Sequence, residues 1–502
     1  MSRFSPSAGN PLSEETLHLL ADRMAVPTYD RTALVPAIVH IGVGGFHRAH
    51  QGMYYDDLAR RGSAERWGVV GVGLHRPEMK EVMAAQDCLY TVVERGPETD
   101  SARVVGAMCR YLYAPDAPAE VHAALADPRT RIVSLTITAD GYCLDPATGT
   151  FDPQRASVKA QQVGVGEACS TWALLCAALD ERRRAGTPPF TVMSCDNVPG
   201  SGAAAREALV SFAALHDPEL SRWIDRCVTF PSTMVDRITP KTSPEQRDEI
   251  EQQFGVADRW PVLTEPFTQW VIEDDFCNGR PPWEDVGVEM VADVAGYKLI
   301  KTRLLNGIHC AVSYVGILAG YRVLNEAMAD PSIHRYVRQL MSEEIAPLLP
   351  TVTGWDVTEY CATTMTRLTN PRMSDELSRL AARGSTKMPS YLLPSLTEAR
   401  SRRRPHRLLT LAVAAWLRYL RGYDAHGNPL DVQDPRAEQL CPLAERGQRN
   451  PKPLLALRDI FGDLTSDDDF AETVAAMLTD IDRFGMAEVL RRHTDDVLTT
   501  VA

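Results

Sequence analysis

The run Ile38-Val39-His40-Ile41, followed at once by Gly42-Val43-Gly44-Gly45-Phe46-His47-Arg48-Ala49-His50, limits the folds open to this chain more than any other stretch. A β-branched run, a glycine turn, and then Tyr54 and Leu58 at helical spacing read as strand, turn, helix. In that order Gly42 permits a tight turn and Gly44 lets the backbone approach a pyrophosphate. The start of the helix offers that group free N–H donors. The third glycine of G-x-G-x-x-G is absent, because His47 stands in its place. A lone G-x-G is equally a structural turn, so support has to come from the rest of the chain.

Trp67-Gly68-Val69-Val70-Gly71-Val72-Gly73-Leu74 follows at a distance that suits a βαβ unit. Its end is where an adenosine ribose is read. Glu78 there favours the 2′-hydroxyl of NAD, whereas His75 and Arg76 suit the 2′-phosphate of NADP; the reading leans to NAD with NADP left open. Further apolar runs are Arg131 to Thr138 and Phe190 to Asn197, with a helix-like segment from Thr171 to Arg184 between them. Strands alternating with helices imply a doubly wound parallel sheet that binds ligands at the carboxyl ends of its strands, and Asn197 lies at such an end. In Val235-Asp236-Arg237-Ile238-Thr239-Pro240 the two charges read either as a local ion pair or as site residues.

From about residue 291 the texture changes to long amphipathic segments with almost no β-rich runs, which predicts an all-α second domain. The expected division is a dinucleotide-binding domain over 1–290 and a mainly helical domain over 291–502. One helix is expected from Tyr297 to Ala319 and another from Ile333 to Leu348. At about 100° per residue, Lys301, His309 and Asn306 fall at roughly 0°, 80° and 140° around the first of these. An amine, an imidazole and an amide on one side can take a proton from an alcohol and hold the oxygen left behind. The same spacing suits a core helix with a polar rim, and spacing alone does not choose. Arg379 and Lys387 flank Gly384-Ser385-Thr386 and gain interest only if that loop faces the Lys301 helix.

A length of 502 residues with 44% hydrophobic and 24% charged side chains suits a globular protein of two or three domains. The net charge of -13 argues against a nucleic-acid or anionic-membrane binder, and the run Arg400 to Arg404 reads as a solvated boundary. The 11 cysteines include no C-x-x-C pair, so neither a disulfide framework nor a metal site is expected. No apolar stretch is long enough for a membrane span, and Glu14, Glu15, His18 and Asp22 interrupt the first residues; the expected compartment is the cytoplasm.

The glycine turn, Asp196-Asn197-Val198-Pro199-Gly200, Val235 to Pro240, Glu265-Pro266-Phe267 and Lys301-x4-Asn306-x2-His309 together resemble the polyol-specific long-chain dehydrogenases, closest to their mannitol 2-dehydrogenase branch. The resemblance runs in order from about residue 38 to residue 390. It implies a Rossmann-type domain, a mostly helical C-terminal domain, a substrate cleft between them, no metal, and a monomer or weak oligomer. It also implies Lys301 as general base, Asn197 and Asn306 as amides holding the alkoxide, and His309 and Asp236 as contacts to substrate hydroxyls. Arg379 and Lys387 occupy positions resembling further substrate contacts. Ile41, Gly42, Val43, Gly44, Phe46, His47, Arg48, Glu78 and Asn197 are expected at the cofactor.

Two positions depart from the family pattern: Ala139 and Asp140 follow the Thr-Ile-Thr strand where mannitol dehydrogenases carry a glutamate, and Lys298 stands where another precedes the lysine. The expected reaction interconverts a polyol such as D-mannitol, D-arabinitol or D-sorbitol with its ketose by hydride transfer to NAD. Neutral lysine needs a depressed pKa, which burial and the positive nicotinamide favour. Rival readings are a sugar-acid or sugar-phosphate reductase of the fructuronate, tagaturonate or mannitol-1-phosphate type, and a nucleotide-binding sensor without turnover.

Overall fold

The computed structural model describes residues 9–62, 67–145, 148–155, 171–424 and 427–495. The chain divides into two compact units, Met1–Ala295 and Gly296–Ala502.

The first unit is built on a five-stranded sheet of β1 (Pro36–Ile41), β2 (Gly68–Gly73), β3 (Met108–Tyr113), β4 (Ile132–Leu135) and β5 (Thr191–Ser194). All neighbours are parallel and the spatial order is β3-β2-β1-β4-β5. The doubly wound parallel sheet expected from the sequence is present, and its strand order reverses direction between β1 and β4. Helices cover both faces, so the central strands read as unbroken apolar runs: Ile38, Val39 and Ile41 are fully buried, as are Ile132, Val133 and Leu135. Each such side chain contributes about 1.5–3 kcal/mol over leaving it in water. Two three-stranded sheets accompany this one, and strands Val262–Thr264 and Gln269–Glu273 fall in the stretch Trp260 to Asp274 that reads in the sequence as a strand-and-turn element. One pairs Tyr90–Arg95 with Asp100–Val105 and Val262–Thr264; the other pairs Gln269–Glu273 with Thr233–Asp236 and Glu289–Val291.

His40 breaks the apolar run of β1 and is fully buried. Its two ring nitrogens lie 2.8 Å from Ser134 Oγ and 2.9 Å from Thr136 Oγ1, which meets the requirement that a buried polar group find partners. The His47 ring stacks on it with centroids 3.4 Å apart and 13° between planes. Where the third glycine of the motif would stand, the short helix Gly45–Ala49 thus presents an imidazole packed on the strand's own histidine. Burial pushes His40 from 6.5 down to about 3 and His47 well below its usual range; for His47 the neighbouring His40 adds to the effect.

Both rings are therefore neutral when folded, and an unfolded chain binds more protons once the pH drops below 6.5. Their contribution to stability is complete above that value and is lost as pH falls toward 3. Between pH 7 and pH 5, His40 alone is expected to remove about 2 kcal/mol, with His47 acting in the same direction. Urea unfolding at the two pH values checks this, and a loss that is no smaller in His40→Gln contradicts it.

The second unit is helical, as its texture predicts. Helices Gly307–Leu318 and Arg407–Tyr419 form its centre, and from Leu408 to Tyr419 every side chain is buried. A helix apolar on all sides belongs inside a core. The buried Glu344 carboxylate caps it, accepting the N–H groups of Leu408 and Leu409 at 2.8 Å each. Among the described residues no helix is long and apolar enough to cross a membrane.

The single helices expected over 297–319 and 333–348 are each interrupted by a π-helical turn, at Thr302–Asn306 and Leu340–Ile345; a third π-turn lies at Met388–Leu392. Arg400 of the basic run is held by Asp467 and lies over the Phe470 ring, so it anchors the end of helix Leu393–Ser401 instead of standing in solvent.

Candidate active site

At the carboxyl end of β1, Gly42 adopts φ +101°, and a Cβ there would stand 2.2 Å from the Thr136 carbonyl oxygen. Only glycine fits. Gly44 is exposed, with nothing closer than 3.8 Å to a Cβ, so its backbone is open to a ligand. These two glycines lie at the point where the strand order reverses, which is where doubly wound sheets bind nucleotides. An exposed, uncrowded glycine backbone at that point fits a pyrophosphate.

The other residues expected at the cofactor divide by burial. Phe46 is half-buried and stacks on His50 at 5.0 Å. Ile41, Val43, His47 and Arg48 turn their side chains inward. Arg48 donates to the Gly44 and Trp260 carbonyls and lies over the Tyr90 ring, so it braces the turn from behind. Glu78 opens helix Glu78–Ala85, is exposed, and borders a cavity of about 440 Å³ with Asp258 and Trp260. Arg76 lies over Trp260 at 5.6 Å.

Asn197 is exposed three residues beyond β5. The preceding Asp196 accepts the N–H groups of Ile137 and Thr138 at 3.0 Å each. Thr138 sits at φ 64°, ψ 162°, a region nearly exclusive to glycine, at a cost of about 1–3 kcal/mol. Ala139 and Asp140 follow it in an exposed 3₁₀ turn. The sequence reading placed neither Asp196 nor Thr138 at the site. For Asp196 the signal was its position one residue before Asn197; for Thr138 there was none.

Asp236 ends the strand Thr233–Asp236 and is 1% exposed. The local ion pair considered for it is not what holds Arg237. That guanidinium reaches Glu94 at 2.5 Å, the Glu265 carbonyl at 2.8 and 3.0 Å, and the Ala49 carbonyl at 2.5 Å.

In the second unit Lys301 is the last residue of helix Ala295–Lys301 and only 4% exposed. The five-residue π-turn Thr302–Asn306 follows, closed by the Gly307 N–H donating to the Thr302 carbonyl. This alters the expected geometry. An α-helix separates residues five apart by roughly 140°, whereas i→i+5 turns stack them within roughly 50°. Lys301 and Asn306 therefore come closer to one face than α-helical spacing allows. His309, half-buried, lies in the first turn of helix Gly307–Leu318. Gly307 permits the arrangement, because a Cβ would meet the Tyr391 carbonyl oxygen of another π-turn at 3.0 Å.

Both ends of the Arg379 to Lys387 segment pack on helix Gly307–Leu318, through helix Leu377–Ala381 and through the π-turn Met388–Leu392. Lys387 leads directly into the π-turn Met388–Leu392, which packs on helix Gly307–Leu318, and its charge is felt by the buried Cys310 thiol. Burial pushes the Lys387 ammonium below its usual range, and its Nζ donates to the Leu380 carbonyl at 3.0 Å. Arg379 is exposed and paired with Asp375, its Nε donating at 2.7 Å. Among the described residues no group of three or more His, Cys, Asp or Glu is placed to hold a metal ion.

Comparison with known proteins accords with these features. Residues 36–285 match the mannitol dehydrogenase Rossmann domain and residues 293–482 the mannitol dehydrogenase C-terminal domain. A mannitol 2-dehydrogenase of Aspergillus fumigatus is 42% identical over 477 residues, 93% of this chain and 95% of that protein. A Saccharomyces cerevisiae mannitol dehydrogenase is 41% identical over 92% of this chain and 93% of its own length. The solved Pseudomonas fluorescens mannitol 2-dehydrogenase, a ternary complex with NAD and D-mannitol, superposes with a TM-score of 0.89 at 40% identity, covering 97% of this chain and all of that one. A D-sorbitol dehydrogenase in substrate-free form gives 0.87 at 34% identity, covering 95% and 100%. The chain belongs to the mannitol dehydrogenase family.

Proposed function

We propose that this NAD-dependent polyol dehydrogenase interconverts D-mannitol and D-fructose without a metal ion, with Lys301 as the general base. The observation that carries the reading is a lysine 4% exposed at a junction of α- and π-helix, with an amide one π-turn later and an imidazole beyond it. π-turns inside helices mark functional sites more often than ordinary helix does.

NAD, bound at the glycine turn, supplies the hydride acceptor. Lys301, as the neutral amine, takes the proton from the substrate hydroxyl. The alkoxide that forms is held by amide N–H donors of Asn197 and Asn306 while the carbon gives up its hydride, leaving a ketone and a lysine ammonium. His309 and Asp236 bind neighbouring hydroxyls, and Lys387 and Arg379 serve the far end of the polyol. Exposed Gly44 takes the pyrophosphate through its backbone, with Glu78 at the adenosine ribose.

Similarity to a D-sorbitol dehydrogenase makes the epimeric hexitol the specific rival substrate. The test is oxidation of D-mannitol, D-sorbitol, D-arabinitol and mannitol 1-phosphate with NAD and with NADP. The expected result is highest kcat/KM for D-mannitol with NAD, unchanged after EDTA treatment. Preference for the phosphate, or loss of activity restored by zinc, contradicts the reading.

A further inference from the structure

The loop that closes β4 holds a conformation threonine does not take by itself. Thr138, at φ 64° and ψ 162°, is β-branched, and such residues suit positive φ least. A single carboxylate keeps it there. One oxygen of Asp196 accepts the Ile137 N–H and the other the Thr138 N–H, each at 3.0 Å. The Tyr142 hydroxyl donates to Asp196 at 2.8 Å and lies 2.5 Å from Ser194 Oγ at the end of β5. The Tyr142 ring is fully buried, so packing on all sides holds its hydroxyl against the carboxylate.

The clamped loop is also a wall of the nucleotide crevice. Thr136 donates through its hydroxyl to the Gly42 carbonyl at 2.7 Å and through its N–H to the Ile41 carbonyl at 3.0 Å. Loops after β1 and β4 therefore meet where the strand order reverses. On the other side of the carboxylate the chain continues directly into exposed Asn197.

We propose that Asp196 is a positioning residue: its carboxylate holds Ile137 and Thr138 in a strained backbone conformation and so fixes the crevice wall that NAD meets and the backbone that carries Asn197. A carboxylate is needed because two N–H groups are served at once, and an amide brings only one acceptor oxygen. The part that concerns Asn197 rests on the proposed function; the part that concerns nucleotide binding does not.

The test uses the full chain, with NADH titrated by fluorescence, turnover of D-mannitol and thermal unfolding measured together. Asp196→Asn is expected to weaken NADH binding about tenfold and lower kcat about tenfold. Adding Thr138→Gly should recover most of both losses, because glycine takes this conformation without a clamp. Adding Thr138→Ala should recover neither, since alanine meets the same clash. Wild-type NADH affinity and kcat in Asp196→Asn, or equal behaviour of the glycine and alanine partners, overturns the proposal.

If Asp196→Asn does not fold, Tyr142→Phe, which removes one donor to the carboxylate, is combined with the same two partners. The same ordering at smaller size is expected, and no difference between glycine and alanine overturns the proposal. Should Asn197→Ala retain full turnover, the role given to Asn197 fails while the NADH measurements still decide the clamp.

Discussion

Lys301→Ala is expected to lower turnover of D-mannitol by about 10²–10⁴-fold, the range attached to a general base, while NADH binding stays within a few-fold of wild type. Local backbone effects do not confound the variant. Lys301 ends helix Ala295–Lys301, and alanine is at least as good a helix former there. Lys301→Arg sharpens the test, because a guanidinium keeps the charge and the length but cannot be deprotonated in a protein. If the amine acts as base, both variants are inactive. If it acts only as a positive charge, arginine retains activity.

Asn306→Ala carries the second large effect. Removing one preorganised donor to a developing oxyanion costs about 3 kcal/mol, on the order of a hundredfold in rate. Since the alkoxide exists only on the way to the ketone, the loss should fall on kcat and leave KM for D-mannitol nearly unchanged. Asn306 closes the π-turn and is half-buried, between buried Leu305 and Gly307, so its backbone is held from both sides. Steady-state kinetics beside thermal unfolding separates the outcomes. A rise in KM at constant kcat would make Asn306 a ground-state contact, contrary to the role proposed.

The fold was legible in the sequence where burial dictates residue type. Strands such as Pro36–Ile41 and Ile132–Leu135 are covered on both faces, so they are written as apolar runs ending in glycine or small polar residues. The helical second unit was legible from periodicity for the same reason. The π-turn at Thr302–Asn306 was not, because Thr-Arg-Leu-Leu contains nothing foreign to an α-helix. The turn runs into Gly307, whose missing Cβ lets the Tyr391 carbonyl come close, a contact between residues 84 apart in the sequence. Periodicity was thus right about the helix and wrong about the angle between Lys301 and Asn306.

Thr138 was hidden for a related reason. Positive φ is ordinarily announced by glycine, and here the announcement is missing because a carboxylate 58 residues away supplies the energy instead. His47 is the converse case. A broken glycine motif looked like a weakness in the sequence, and the structure shows an imidazole stack occupying the space.

Whether Lys301 is the proton acceptor is tested by turnover of Lys301→Ala with small primary amines added to the assay. Activity is expected to rise with amine concentration and to be greater for the more basic amines, because the missing group is a proton acceptor. Activity in Lys301→Ala that matches wild type without any added amine would contradict it.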